Sequence, residues 1–307
     1  MLIKSELIYF KNKYKVAVGL YSGTLKIYDP SKTLINTIYA HTNAIIRIKV
    51  LANNQLSSCS ADKTVKIWNM TDWSLIQTYT GHIEEVTALA QINENTMATG
   101  SGLYGTSSGG YFNIWTIGTT GTTIRTVSST TGSIRALELL QNGLLASGDN
   151  YGYLKFWNYS TGSLVKSIKT NTNKYQINDI AVIDSQYLAT GGDDKLVNIW
   201  DYTTYTLKKA MSGHTNSIRS LKVLSSQYLI SGSYDFSTRV WNLNTYSQAR
   251  KLTSADLSSY IYAVDMFNSS IVVTGDSDSK LKYFNISDGT QMTKINVGDE
   301  IHALASF

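Results

Sequence analysis

Apolar and polar residues alternate with a period of two in seven short segments spread along the chain. They are TLKIYD (24–29), TVKIWN (64–69), YFNIWT (111–116), YLKFWN (153–158), LVNIWD (196–201), STRVWN (237–242) and KLKYFN (280–285). That period belongs to a β-strand with one buried face. Each segment carries an aromatic at its fifth place, at positions 28, 68, 115, 157, 200, 241 and 284. The successive spacings are 40, 47, 42, 43, 41 and 43, a regularity that marks an internal repeat. Five of the six Trp belong to this series, and Trp73 alone stands outside it.

The segments upstream complete the unit. A strand ending in small residues precedes the aromatic one: QLSSCSAD (55–62), LLASGDN (144–150), YLATGGDD (187–194), YLISGSYD (228–235) and IVVTGDSD (271–278). Its Gly and Asp mark a tight turn. Before that lies a further apolar strand: IIRIKVL (45–51), VTALAQI (86–92), IRALELL (134–140), INDIAVI (177–183), IRSLKVL (218–224) and IYAVDMF (261–267). A fourth follows the aromatic, as in TLINTIY (33–39), SLIQTYT (74–80), SLVKSIK (163–169) and TLKKAMS (206–212). Each repeat therefore reads as a four-stranded antiparallel meander, and no segment sustains a helical period.

This pattern resembles the WD-repeat, G-protein-β-like family of β-propellers. The repeat length, the Gly81-His82 and Gly213-His214 dipeptides and the Trp200-Asp201 ending all match. The resemblance covers essentially the whole chain. It implies an all-β, seven-bladed propeller with four antiparallel strands per blade, a single domain over 1–307. It also implies a hydrogen-bonded chain of His, Ser or Thr, Asp and Trp within a blade. Two full sets are present, His41, Ser58, Asp62 and Trp68, and His214, Ser231, Asp235 and Trp241, with identical spacings of 17, 4 and 6. The third blade keeps His82, Thr99 and Trp115; the fourth keeps Ser147 and Trp157; the fifth keeps Thr190, Asp194 and Trp200. The seventh keeps Thr274 and Asp278 with Phe284, and the first has Tyr28 alone. Blades with partial sets are expected to lean on apolar packing.

Two segments compete for the innermost strand of blade one, SELIYF (5–10) and IHALASF (301–307). Closure by 301–307 is favoured over local filling of blade one by the N-terminal segment, and a segment of a longer repeat protein is a further reading.

In this family the turn after the second strand and the loop entering the first share one face, the usual partner-binding surface. Register assigns Arg135, Arg219, Tyr234, Tyr260, Tyr262, Tyr21 and His302 to it. Tyr and Arg are enriched at binding hot spots, so these residues form the candidate partner-binding patch. The bland alternative is that a chain with 21 Tyr places some on every face. An insertion in the third blade, SGLYGTSSGG (101–110), reaches the same face and offers Tyr104. It lacks the Lys and the following helix of a phosphate-binding loop.

Composition narrows the chemistry. A single Cys excludes a disulfide framework and multi-thiolate metal sites, and Cys59 reads as a core residue. Three of the four His occupy the structural position, and no metal-ligand spacing is visible. No convergent carboxylates are expected near the axis, which argues against a hydrolytic propeller. The net charge of +5 is spread over small groups such as Lys11, Lys13 and Lys15, or Lys208 and Lys209, and permits a nucleic-acid partner without requiring one. The apolar runs fall far short of the ~18 residues of a membrane helix. Lys4 and Glu6 interrupt the first apolar stretch, which makes a poor signal peptide. The expectation is therefore a cytoplasmic or nuclear scaffold or adaptor. It would be non-catalytic and without cofactor or metal, and would bind proteins or peptides as a subunit of a multiprotein assembly. A nucleic-acid- or ligand-binding propeller is the runner-up.

Overall fold

The computed structural model describes residues 14–102, 109–118, 121–129, 131–170, 173, 175–252 and 259–307. Among them all regular structure is β-strand, and no helix is long and apolar enough to cross a membrane. The aromatic segments form the third strand of seven four-stranded antiparallel sheets. Blade two shows the order: Ile45–Leu51 innermost, then Gln55–Ser60, Val65–Asn69 and the outer Leu75–Tyr79. Burial follows position. The second and third strands are buried almost throughout, whereas the outer strand Ser163–Lys169 is exposed along most of its length.

The inner strands pack in sequence around an axis, and Ile301–Ser306 packs between Ile261–Asn268 and Ile45–Leu51, so the ring closes. This C-terminal strand pairs with Val16–Leu20 in the register Val16 to Ser306, Ala17 to Ala305 and Val18 to Leu304. Lys15 and Phe307 extend the ladder through two backbone hydrogen bonds, at 2.8 and 3.1 Å. Phe307 then packs on Trp73 of blade two, with ring centroids 5.9 Å apart. The Trp outside the repeat series thus meets the end of the chain. The competing segment 5–10 lies outside the described residues.

The small residue late in each second strand has a role different from the turn that the sequence suggested. Gly275 lies inside Ile271–Asp276, and a Cβ built there would stand 2.2 Å from Cγ2 of Ile301 on the next blade. Gly19, Gly100, Gly148, Gly191 and Gly232 face Ile45, Ile134, Ile177, Ile218 and Ile261 in the same way. These glycines allow blades to approach. The left-handed turn positions fall further on and are mostly not glycine: Lys63, Lys195, Phe236 and Ser279 have φ of 71°, 67°, 68° and 62°. Blade two carries Cys59 at the glycine position, and the facing residue of blade three is the smaller Val86 in place of Ile.

Two blades solve their polar problem in a way the sequence reading did not anticipate. In blade seven Lys282 Nζ lies 2.7 Å from Asp276 Oδ2, and both side chains are fully buried. In blade four Lys155 Nζ donates to the carbonyl and hydroxyl of Ser129 and to Thr131, which donates to Asp149. Asp149 and Asp276 stand where blades two and six have Ser60 and Ser233. A buried lysine and carboxylate therefore stand in for His and Asp, and these blades do not rest on apolar packing alone. Asp278 is a half-exposed turn residue 3.8 Å from Lys280.

Candidate functional site: the turn face and the mouth of the ring

The face is built by one backbone bond repeated around the ring. In every blade a residue of the turn after the second strand donates its N–H to the carbonyl of the loop entering the first strand. Blades six, seven and one show it as Tyr234 to Ser217, Ser277 to Tyr260 and Tyr21 to Glu300, at 2.9, 3.0 and 3.0 Å. Turn and loop therefore open on one side.

Below this face the hydrogen-bonded sets hold the turns. Trp68 Nε1–H donates to Ser58 Oγ at 2.9 Å, and Ser58 Oγ lies 2.8 Å from His41 Nε2. His41 Nδ1 lies 2.9 Å from Asp62, which also accepts from the Thr42 and Thr64 N–H groups. A carboxylate accepts only, so His41 Nδ1–H donates to Asp62. Blade six repeats the arrangement through Trp241, Ser231, His214 and Asp235 at 2.8, 2.6 and 2.8 Å. Burial alone would raise the Asp62 and Asp235 pKa values. The hydrogen bonds from His and from the turn outweigh it and hold both well below the usual carboxylate range. In blade three His82 reaches Thr99 at 2.7 Å, but its buried Nδ1 has no partner among the described residues, and burial pulls its pKa down to about 4. The Cys59 thiol is fully buried and pushed up to about 12 by burial, consistent with a core side chain.

On the face itself the rings run as a ribbon across blades one, seven and six. Tyr21 lies 5.4 Å from His302, and His302 stacks on Tyr262 at 4.6 Å and 19°. Tyr262 meets Tyr234 edge-on at 5.4 Å, and Tyr234 meets Tyr260 at 4.7 Å. The Arg219 guanidinium sits 5.0 Å over the Tyr234 ring and donates to Asn178 Oδ1 at 3.1 Å. Burial lowers the His302 pKa against the opposing pull of Glu300, 3.2 Å away. Burial, with Tyr234 and Glu300, raises that of Tyr262. Both shifts favour the neutral ring. Six of the seven candidate residues are contiguous. Arg135 stands apart from the ribbon, across the mouth of the ring.

Two residues escaped the sequence reading. Phe236 extends the ribbon, 5.3 Å from Tyr260, from a left-handed turn position that its pattern does not advertise. Arg47 enters the mouth from blade two, where the register position used elsewhere holds Ile46. Each inner strand bulges near its start, at Ile46 as at Arg135, and Arg47, one place further on and paired with Cys59, borders both the mouth and the cavity beneath it. Tyr104 of the third-blade insertion, and Lys11 and Lys13, lie outside the described residues.

Carboxylates do line the axis, contrary to the sequence expectation. Beneath the mouth is a cavity of about 280 Å³ bordered by Glu138, Asp179 and Asp265. Each faces a cation: Lys49 at 2.8 Å from Glu138, Arg47 at 3.5 Å from Asp179, and Lys222 at 2.7 Å from Asp265. Alternation places these residues on inner strands, but only ring closure makes them converge.

The family model of the WD domain, G-beta repeat, matches residues 32–69, 162–201 and 205–242. With the seven-bladed ring, these matches support a WD-repeat β-propeller family. It is 30% identical over 150 residues, 45% of this chain, to the F-box/WD repeat-containing protein A of Dictyostelium discoideum. It is 46% identical over 56 residues, 18% of the chain, to the WD repeat-containing protein 89 homolog of the same organism. It is 29% identical over 89 residues, 28% of the chain, to the E3 ubiquitin-protein ligase COP1 of Arabidopsis thaliana. The matched stretches span 12%, 16% and 13% of those relatives' own lengths. Repeats and relatives together point to a protein-interaction propeller.

Proposed function

We propose that the chain is a non-catalytic scaffold or adaptor that presents its turn face to a protein or peptide partner within a multiprotein assembly. The observation that carries this reading is the ribbon of touching rings from Tyr21 through His302, Tyr262 and Tyr234 to Tyr260 and Phe236, with Arg219 stacked beside it. Tyr21 and Tyr260 are 56% and 42% exposed, so the ribbon offers aromatic area to solvent. Rigid aromatic side chains bury much area at small entropic cost, which suits them to recognition. The names of two relatives, one an F-box/WD protein and one a ubiquitin-protein ligase, support a role in handling other proteins.

Affinity capture with the wild-type chain and with a Tyr234→Ala, Tyr262→Ala, Arg219→Ala variant tests the reading. A Lys208→Ala, Lys209→Ala variant on the outer strand Thr206–Met211 serves as the control surface. Partners shared by wild type and control but lost from a folded triple variant are expected. An identical partner set for all three would refute the assignment of this face.

A further inference from the structure

The ribbon borders the mouth of the ring at His302 and Tyr262, and the mouth is basic. It is a cavity of about 50 Å³, room for a few water molecules, bordered by Arg47, Arg135, Arg219, Asn178, Tyr262 and His302. The arginines come from blades two, four and six, so they surround the mouth and do not line one edge. Asn178 organises two of them. Its carbonyl accepts from Arg47 Nη2 at 2.6 Å and its side-chain oxygen from Arg219 Nη1 at 3.1 Å. The nearby acids are each committed. Asp193 accepts from Asn178 at 2.9 Å and Ser217 at 2.5 Å, and Glu300 faces His302.

We propose that this mouth seats the carboxylate of an Asp or Glu side chain from a peptide partner, whose neighbouring residues lie along the aromatic ribbon. The proposal rests on the turn face being the partner-binding surface. Guanidinium groups hold carboxylates through paired, planar N–H donors, and a half-enclosed site strengthens such bonds. A singly charged group fits better than a doubly charged one. Asp179 already lies 3.5 Å from Arg47, and Asp193 stands one hydrogen bond away through Asn178, so a second negative charge would meet like charge. Tyr262 and His302 belong to both the mouth and the ribbon, so a chain anchored at the mouth continues onto aromatic surface, which a free small anion would not use.

The test is selection of phage-displayed random dodecapeptides on the folded chain, followed by fluorescence anisotropy with the strongest peptide. An Asp or Glu at a constant place in the selected peptides is expected. Changing it to Asn or Gln should weaken binding about ten- to a hundredfold on wild type. The same change should have little effect on an Arg135→Gln, Arg219→Gln variant whose melting temperature matches wild type. Peptides without an acidic preference, or an equal loss on both proteins, would overturn the proposal. The turn-face reading would survive that result if Tyr234→Ala with Tyr262→Ala still abolished binding of those peptides. Failure to select any peptide would count against both. Binding at least tenfold tighter when phosphoserine replaces the acidic residue would overturn the choice of a carboxylate.

Discussion

Lys282 Nζ and Asp276 Oδ2 lie 2.7 Å apart with side chains 1% and 0% exposed, at a level of blade seven where other blades use a histidine. Asp276 Oδ1 also accepts the N–H groups of Asp278 and Lys280, so the pair shapes the turn. Removing one partner of a buried ion pair strands the other charge. Lys282→Met is expected to destabilise the ring by about 3–5 kcal/mol. Adding Asp276→Asn removes the stranded charge and keeps the turn acceptor, so the double variant should recover much of the loss. Urea unfolding of the three proteins measures this. Equal stability of the single and double variants would show that stranded charge is not the source.

His82 makes blade three acid-sensitive. Its folded pKa is about 4, because burial disfavours the cation and no carboxylate among the described residues compensates, whereas the ordinary histidine value is 6.5. Between those values the unfolded chain binds the proton more readily, so stability falls as pH drops from 6.5 and levels off near 4. Two and a half pKa steps correspond to roughly 3 kcal/mol. His82→Asn should remove this component, visible as a shallower decline of melting temperature between pH 7 and 4. An unchanged slope would place the titrating group elsewhere.

Ser58 stands at the junction of two side-chain hydrogen bonds, to Trp68 and His41. Ser58→Ala leaves a buried indole N–H and an imidazole nitrogen unmatched, a loss of about 1–3 kcal/mol. Thr99 and Thr190 hold the same indole bond in blades three and five, at 3.0 Å in each. Ser58→Thr should therefore keep most of the stability. A threonine variant as weak as the alanine one would assign the effect to packing.

Gly275 and Ile301 fix how closely blade seven approaches the closing strand. Gly275→Cys is expected to cost about 1–3 kcal/mol by overpacking. Blade two tolerates Cys59 opposite Val86, so Gly275→Cys combined with Ile301→Val should cost clearly less than the sum of its parts. Strict additivity in chemical denaturation would count against a direct contact.

Phe236 occupies a left-handed backbone position, φ 68°, which disfavours side chains by about 1–2 kcal/mol. Phe236→Gly should leave stability unchanged or raise it by up to about 1 kcal/mol, the gain being reduced by the added chain entropy. If its ring serves the aromatic ribbon, the same variant binds the selected peptides more weakly. Stability and binding would then move in opposite directions.

Strand, repeat and blade count were all legible because each rests on local pattern. A half-buried strand demands alternation, and a stacked blade demands an apolar aromatic at one place in every repeat, at Trp68 as at Trp241. The His–Ser–Asp–Trp sets were legible through the family resemblance, and their two identical spacings show equal strand and turn lengths in blades two and six. What lay hidden depends on contacts between strands far apart in sequence. Only the ring sets Gly275 against Ile301 and makes Ile301–Ser306 the partner of Val16–Leu20. Only the closed ring gathers Arg47, Arg135 and Arg219 from three blades around one mouth. The sequence by itself determined the unit and its number, since strand formation and blade burial are short-range demands. The tertiary structure decided the chemistry of the mouth, because charge convergence on an axis depends on which distant strands the closed ring brings face to face.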